Sequence, residues 1–330
     1  MVETSARRYT DAELSEATLV VTDEAELANA LSIPPPPHCP PEIIVEYDLP
    51  EQADPRRCCF CQSHTPHRKG FVVRFDSTDR YLVGSHCGPK YLGLQFRSAT
   101  GAHSKLKDRQ GVLHKLAGIA ELAPRIRDWC DDVLFVSLKE IDAAARALQK
   151  AAPDAVIRLR ALMNSGGQLS EDIRVRDYAA EASRQDGLDG EEPSPIFTVQ
   201  RSAIGPLRGS ALLDVEAIQD AVYALKAHAA QVSSVVSKGT DGYLTTRLNG
   251  LAVEFDRKRD AASEGVSRAQ RAHLFFAPDH LAHLARWARQ GTNDKLEARG
   301  GALVIEGRAG SVTIAAPPPI AVPPMPKAEG

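Results

Sequence analysis

The chain contains no run approaching the roughly 18 uninterrupted apolar residues that a membrane-spanning helix requires, and Met1-Val2-Glu3-Thr4 lacks the basic start of a secretory leader. We therefore expect a cytoplasmic protein with no membrane partner. Cysteines number only six in 330 residues, too sparse for a disulfide scaffold, so clustered ones are read first as metal ligands. Aromatics are scarce too, at 5%, and no Gly-x-Ser-x-Gly, Walker A or Gly-x-Gly-x-x-Gly string occurs. The common nucleophile and phosphate-loop signatures are thus missing, and a non-enzymatic role is expected.

There is little surplus of either charge. Lys and Arg number 40 against 43 Asp and Glu, a net of −3, which argues against a generally polybasic protein. Divided along the chain, the charge separates. Residues 1–55 hold twelve acids against Arg7 and Arg8, a net of −10, whereas residues 56–109 hold eleven bases against Asp76, Asp79 and Asp108, a net of +8. The prolines at 34 to 37, 40 and 41 lack the N–H groups that a helix or central strand needs. We expect residues 1–52 to form an acidic, proline-containing arm with one short helix near 11–31.

Four cysteines (Cys58, Cys59, Cys61, Cys87) and six aromatics (Phe60, Phe71, Phe75, Tyr81, Tyr91, Phe96) fall between residues 58 and 96. Residues 70–75 and 80–84 have strand character and are joined by the polar Asp76-Ser77-Thr78-Asp79, which predicts a β-hairpin. Pro89 suits the first turn of a following helix. Cys58-x2-Cys61 supplies two thiolates from one knuckle, as tetrahedral zinc prefers, and Cys87 adds a third. The fourth ligand is then His64, His67 or His86. His64 continues the knuckle spacing and is slightly preferred, while His86 adjoins Cys87. Cys59 is able to exchange with Cys58, and His38-Cys39 is a weak further donor. Cys39 and Cys130 otherwise read as structural.

Residues 101–186 read as helical. Leu134, Leu138, Ile141, Ala145 and Leu148 keep a 4-3-4-3 rhythm that Ala152, Ala155, Leu159 and Leu162 continue past Pro153. Residues 187–212, rich in Gly and Pro, read as a linker. Val215, Ile218, Val222, Leu225, Ala229, Val232 and Val236, then Leu244, Leu248, Leu251 and Phe255, predict a helical hairpin within 213–292, turning at Lys238-Gly239-Thr240-Asp241-Gly242. Residues 293–316 read as a small β-meander and 317–330 as a disordered proline-rich tail. His280 and His283, three apart on one helix face, read as a solvated pair. The fold class expected is α+β, mostly α: a zinc-stapled β-hairpin plus helix module over 53–100, a helical-hairpin or coiled-coil-like body, and a short C-terminal meander.

Cys58, Cys61, Arg68, Phe71, Val72, Val73, Val83, Gly84, Ser85, Cys87 and Gly93 together resemble a treble-clef-like zinc-finger module of poorly characterised phage, plasmid and bacterial proteins. Where that group often has a histidine before the second knuckle cysteine, this chain has Phe60. The resemblance implies a metal site and no activity. From the residues themselves, the basic module suggests DNA or RNA contact through Arg56, Arg57, Arg68, Lys69, Arg74 and Lys90, with the acidic arm competing for the same surface. The alternative is a protein-interaction scaffold, or a homo-oligomer formed through the heptad helices, in which a Zn2+ finger is purely structural.

Overall fold

A computed structural model describes the protein except for residues 1–8, 36–38, 62–65, 76–77, 186–194, 291, 293, 308–309 and 328–330. The fold is α+β and mostly α, about 55% helix and 19% strand. The chain divides into two compact units, residues 1–121 with 232–253 and residues 122–231 with 254–330.

The first unit is built on a five-stranded sheet. Strands β1 (Val20–Val21), β2 (Ala30–Leu31), β3 (Glu42–Asp48), β4 (Lys69–Arg74) and β5 (Arg80–Gly84) lie in the order β1-β3-β4-β5-β2, antiparallel in the middle and parallel at both edges. The expected hairpin is β4–β5, with residues 76–77 of its turn outside the described residues. The expected arm is corrected: the three remaining strands all come from residues 20–48. The helix near 11–31 is confined to α1 (Asp11–Glu16), capped by Thr10 and Glu13, and a 3-10 turn at Glu24–Leu27. Composition misled here. The acids of 42–48 alternate with Ile43, Val45 and Tyr47, which form a strand able to pair with a basic neighbour.

Successive side chains of a strand point to opposite faces, and this sheet buries both. Val72 and Leu82 join Val21, Leu27, Tyr47 and Leu49 on one side. Val73, Phe75, Tyr81 and Val83 join Ile43, Cys59 and Phe96 on the other. Burial on two faces explains why residues 71–73 and 81–83 are continuous apolar runs. Helix α2 (Cys87–Asp132) starts straight after β5 and breaks at Gly93, whose φ of 56° and ψ of −128° are open only to glycine. The break allows Leu92, Phe96 and Ala99 to cover the sheet.

Charge is matched across the strands. Asp48 and Lys69 are register partners 2.8 Å apart, and Glu42 pairs with Arg74 at 2.9 Å in the same ladder. Arg56 reaches Glu24 at 3.7 Å and Lys107 reaches Glu46. Most deeply buried is Arg109, which grips both carboxylate oxygens of Asp11 at 2.5 Å. It also donates to the Thr240 and Tyr243 carbonyls and to Thr245 Oγ1.

In the second unit the helical expectations hold. A π-helical turn at Val133–Ser137 leads to α3 (Lys139–Ala151), and Pro153 opens α4 (Pro153–Asn164). Helices α6 (Val215–Lys238) and α7 (Thr245–Ala269), whose residues 232–253 at the turn end belong to the first unit, run antiparallel, Gly265 facing Ile218, and bury Ile218, Val222, Leu225, Leu248 and Phe255. The meander is β8 (Lys295–Arg299), β9 (Ala302–Gly307) and β10 (Gly310–Ile314). Two readings change. Residues expected as helix and as linker instead pair as β6 (Gln168–Arg176) with β7 (Phe197–Pro206), a long hairpin flanking α5 (Tyr178–Gln185). The proline-rich tail is anchored within its unit, Trp129 Nε1 donating to the Pro323 carbonyl at 2.8 Å. Without a proline N–H to occupy it, that extended backbone still offers its carbonyls.

His280 is also corrected. It lies on α8 (Pro278–Ala288) and is fully buried rather than solvated. Its Nδ1–H donates to the Phe275 carbonyl at 2.8 Å, and its Nε2 accepts from the Arg208 N–H at 3.1 Å. Burial first, and then the neighbouring Arg208 and His283 charges, hold its pKa below the ordinary histidine value.

Candidate metal centre

Cys58, Cys61 and Cys87 converge from three places: the two ends of the knuckle and the first residue of α2. Their sulfurs all lie within 4.8 Å of one another, so the three are able to hold a metal ion. The knuckle is shaped by its own backbone. Phe60 N–H and Gly84 N–H each donate to Cys58 Sγ at 3.4 Å, and Cys59 N–H is tied to the Leu82 carbonyl at 2.8 Å. At the base of the loop Arg56 and His67 exchange two backbone hydrogen bonds of 2.9 Å. That bridge brings the two ends of the knuckle loop together beside the hairpin.

The thiols disagree about ionisation. Cys58 is held down to about 2, chiefly by a hydrogen bond from the Cys59 thiol, with His67, Gly84 and Cys61 adding to the effect against burial. Cys87 is pushed up to about 12, first by burial and then by its contact with Cys61. Cys59 is driven well above the ordinary thiol range by donating to Cys58. Three sulfurs this close cannot all carry charge without a compensating cation. A soft divalent cation removes that conflict by binding all three as thiolates.

Beside the cluster stands a residue pair that spans the sheet. His67 Nδ1 lies 2.7 Å from the Tyr47 hydroxyl, with the two rings stacked 5.9 Å apart. Tyr47 is fully buried, and burial, followed by the nearby Cys58 and Cys59 charges, raises its pKa far above the ordinary tyrosine value. Two glycines make room. A Cβ on Gly70 would fall 2.5 Å from the Tyr47 hydroxyl, and one on Gly84 would fall 2.9 Å from His67 Nε2. Sequence reasoning overlooked Tyr47 because it sits in the segment taken for an arm. The alternation through 43–47 was the available signal.

Of the histidines expected as fourth ligand, His64 lies outside the described residues and His86 is exposed at the turn before α2. Adjacent residues entering a helix diverge, so the side chain next to Cys87 does not share its direction. Cys59 packs into the apolar cluster under the knuckle, and Cys39 borders it. Cys130 belongs to the second unit and is structural, its thiol donating to the Val222 carbonyl at 3.6 Å and pushed up to about 12 by burial. The six expected nucleic-acid residues are not brought into one free patch. Arg56, Lys69 and Arg74 face acids, and Arg68 donates to the Ala53 carbonyl. Arg57 and Lys90 are exposed, with Lys90 Nζ 5.4 Å from the centroid of the half-exposed Tyr91 ring. Among the described residues no helix is long and apolar enough to cross a membrane. No protein-family model, curated protein or solved structure matches the chain.

Proposed function

We propose that the chain is a non-enzymatic zinc-binding adaptor, in which the treble-clef-like module of residues 58–93 is a structural staple and the helical unit carries contacts to protein partners. One observation carries this reading. The acidic residues that seemed to form a separate arm are the strand partners of the basic ones, as in Asp48 with Lys69 and Glu42 with Arg74. Charge spent inside the fold is not available to phosphates. The second unit also exposes apolar side chains, among them Phe135 and Val136 on the π-helical turn and Phe197 and Val199 on the long hairpin. Exposed apolar residues and π-turns both recur at interaction sites.

A nucleic-acid role keeps one supporting observation, the exposed Lys90 beside Tyr91, since a cation and an aromatic ring together suit a single-stranded base. Titration of the full chain against labelled single-stranded DNA and RNA at low and high salt separates the two. The adaptor reading expects no binding that falls steeply with salt and no change on replacing Arg57 and Lys90 with alanine. Salt-dependent binding lost in that double variant would establish the other role. Metal analysis on the same preparation should return one zinc per chain.

A further inference from the structure

The described residues supply three sulfurs, and a closed structural zinc site takes four ligands. Most side-chain donors nearby are already committed. Cys59 is packed in the apolar cluster under the knuckle with its N–H on the Leu82 carbonyl, and His86 is exposed. His67 differs. Its Nε2 is completely buried beside Cys58 and has no hydrogen-bond partner at ordinary geometry, an arrangement that native proteins rarely leave without a reason.

That orphaned nitrogen lies beside Gly84 at the Cys58 corner of the cluster, outside the 4.8 Å that groups the three sulfurs. Gly84 touches both groups at once, because its N–H donates to Cys58 Sγ at 3.4 Å while a Cβ there would lie 2.9 Å from Nε2. Only a residue with no side chain leaves that space to the imidazole. The ring's direction is fixed from two sides. The Arg56–His67 backbone bridge sets where the residue enters, and the Tyr47 hydroxyl, itself buried, holds Nδ1 at 2.7 Å. In the tautomer whose Nδ1–H donates to Tyr47, Nε2 carries an open lone pair; in the other, Tyr47 donates to Nδ1 and Nε2–H points at the Cys58 sulfur. A metal-bound histidine commonly has an oxygen acceptor on its other ring nitrogen, as in the first tautomer.

We infer that His67, through Nε2, is the fourth ligand of the Cys58, Cys61 and Cys87 centre, and that Tyr47 is the positioning residue that fixes its tautomer. This assignment rests on the zinc reading above and makes it more specific. Three thiolates and one neutral imidazole form a soft, closed, tetrahedral donor set. It suits zinc or cobalt(II) rather than magnesium or calcium, and it leaves no position for catalysis.

Cobalt(II) is the probe, added to the full chain and displaced by zinc to rank affinity. Wild type should bind one cobalt with the intense visible bands of a tetrahedral thiolate-rich site. His67→Ala should weaken affinity by more than about 100-fold and alter those bands, exceeding the roughly 10–100-fold loss typical of an outer-shell change. Tyr47→Phe should show that smaller loss with the wild-type band pattern kept. His67→Cys should restore tight binding with added sulfur-to-metal charge transfer, and His64→Ala and His86→Ala should change nothing. Should His67→Ala fail to fold, the zinc-loaded wild type answers directly. Nitrogen-15 histidine spectra should show His67 protonated at Nδ1 and metal-bound at Nε2. A His67 with no metal-bound nitrogen, or unchanged cobalt bands in His67→Ala beside a loss in His64→Ala, overturns the assignment while the zinc reading stands. A wild type that binds neither metal overturns both.

Discussion

Around the cysteine cluster the core is thin and held from several directions. Two layers of apolar side chains lie on either face of β3–β5, the rim is laced with cross-strand ion pairs, and three sulfurs meet at one end. In the helical unit, by contrast, Ile218, Val222, Leu225 and Phe255 form an apolar core, and the deepest polar group, His280, is kept neutral by burial and the nearby Arg208 charge against the pull of the Phe275 carbonyl. A short strand segment buries too little apolar surface to stand alone, so charge pairing, and a metal held by the three sulfurs, would add what packing does not. Long amphipathic helices bury enough without a metal site, though they carry ion pairs of their own.

The contrast is broken most forcefully through the metal. Cys61→Ser or Cys87→Ser, or a strong chelator on the wild type, should remove stability on the order of 10 kcal/mol from the sheet unit. Hydrogen exchange should then accelerate in β3, β4 and β5 while β8 to β10 keep their protection. Equal loss in both sets would mean that the two units are not stabilised in different ways.

Arg109→Met tests the buried charge. It strands the Asp11 carboxylate without its partner and should destabilise by about 3–5 kcal/mol in urea unfolding, an effect that persists in zinc-saturated protein. A smaller effect is expected from acid on the helical unit. The folded-state pKa of His280 is lowered, so its contribution to stability is complete above about pH 6.5 and is lost as the pH falls below that value. The unfolding midpoint of β8 to β10 should decline from pH 7.5 to 5.5 in wild type and decline less in His280→Gln. Least of all, Lys69→Ala, which removes an exposed pair, should cost less than about 1 kcal/mol, and that cost should vanish at high salt.

The helices were legible because their cores repeat at three and four residues, and Leu134, Leu138, Ile141 and Leu148 are buried where that rhythm puts them. The hairpin β4–β5 and the Cys58, Cys61 and Cys87 grouping were equally readable, since each is encoded within 30 residues. What escaped was non-local. Pairing of β3 with β4 depends on complementary charge across the chain, and β6 finds β7 only past an interrupted stretch that looks like a linker. His67 could be named as an option but not chosen over His64, because the choice turns on Tyr47, twenty residues upstream in a strand mistaken for an arm.

The carbonyls that complete the Arg109 site belong to Thr240 and Tyr243, 131 and 134 residues further along the chain. At ribosomal speeds of about 5–20 residues per second, that separation is a delay on the order of ten seconds. Throughout it, the nascent sheet has its cysteines and strands but lacks the acceptors for its most buried cation. Cys58, Cys61 and Cys87 are therefore all in place before the acceptors of Arg109 are made, so the three sulfurs can meet first and the closure around Arg109 comes later.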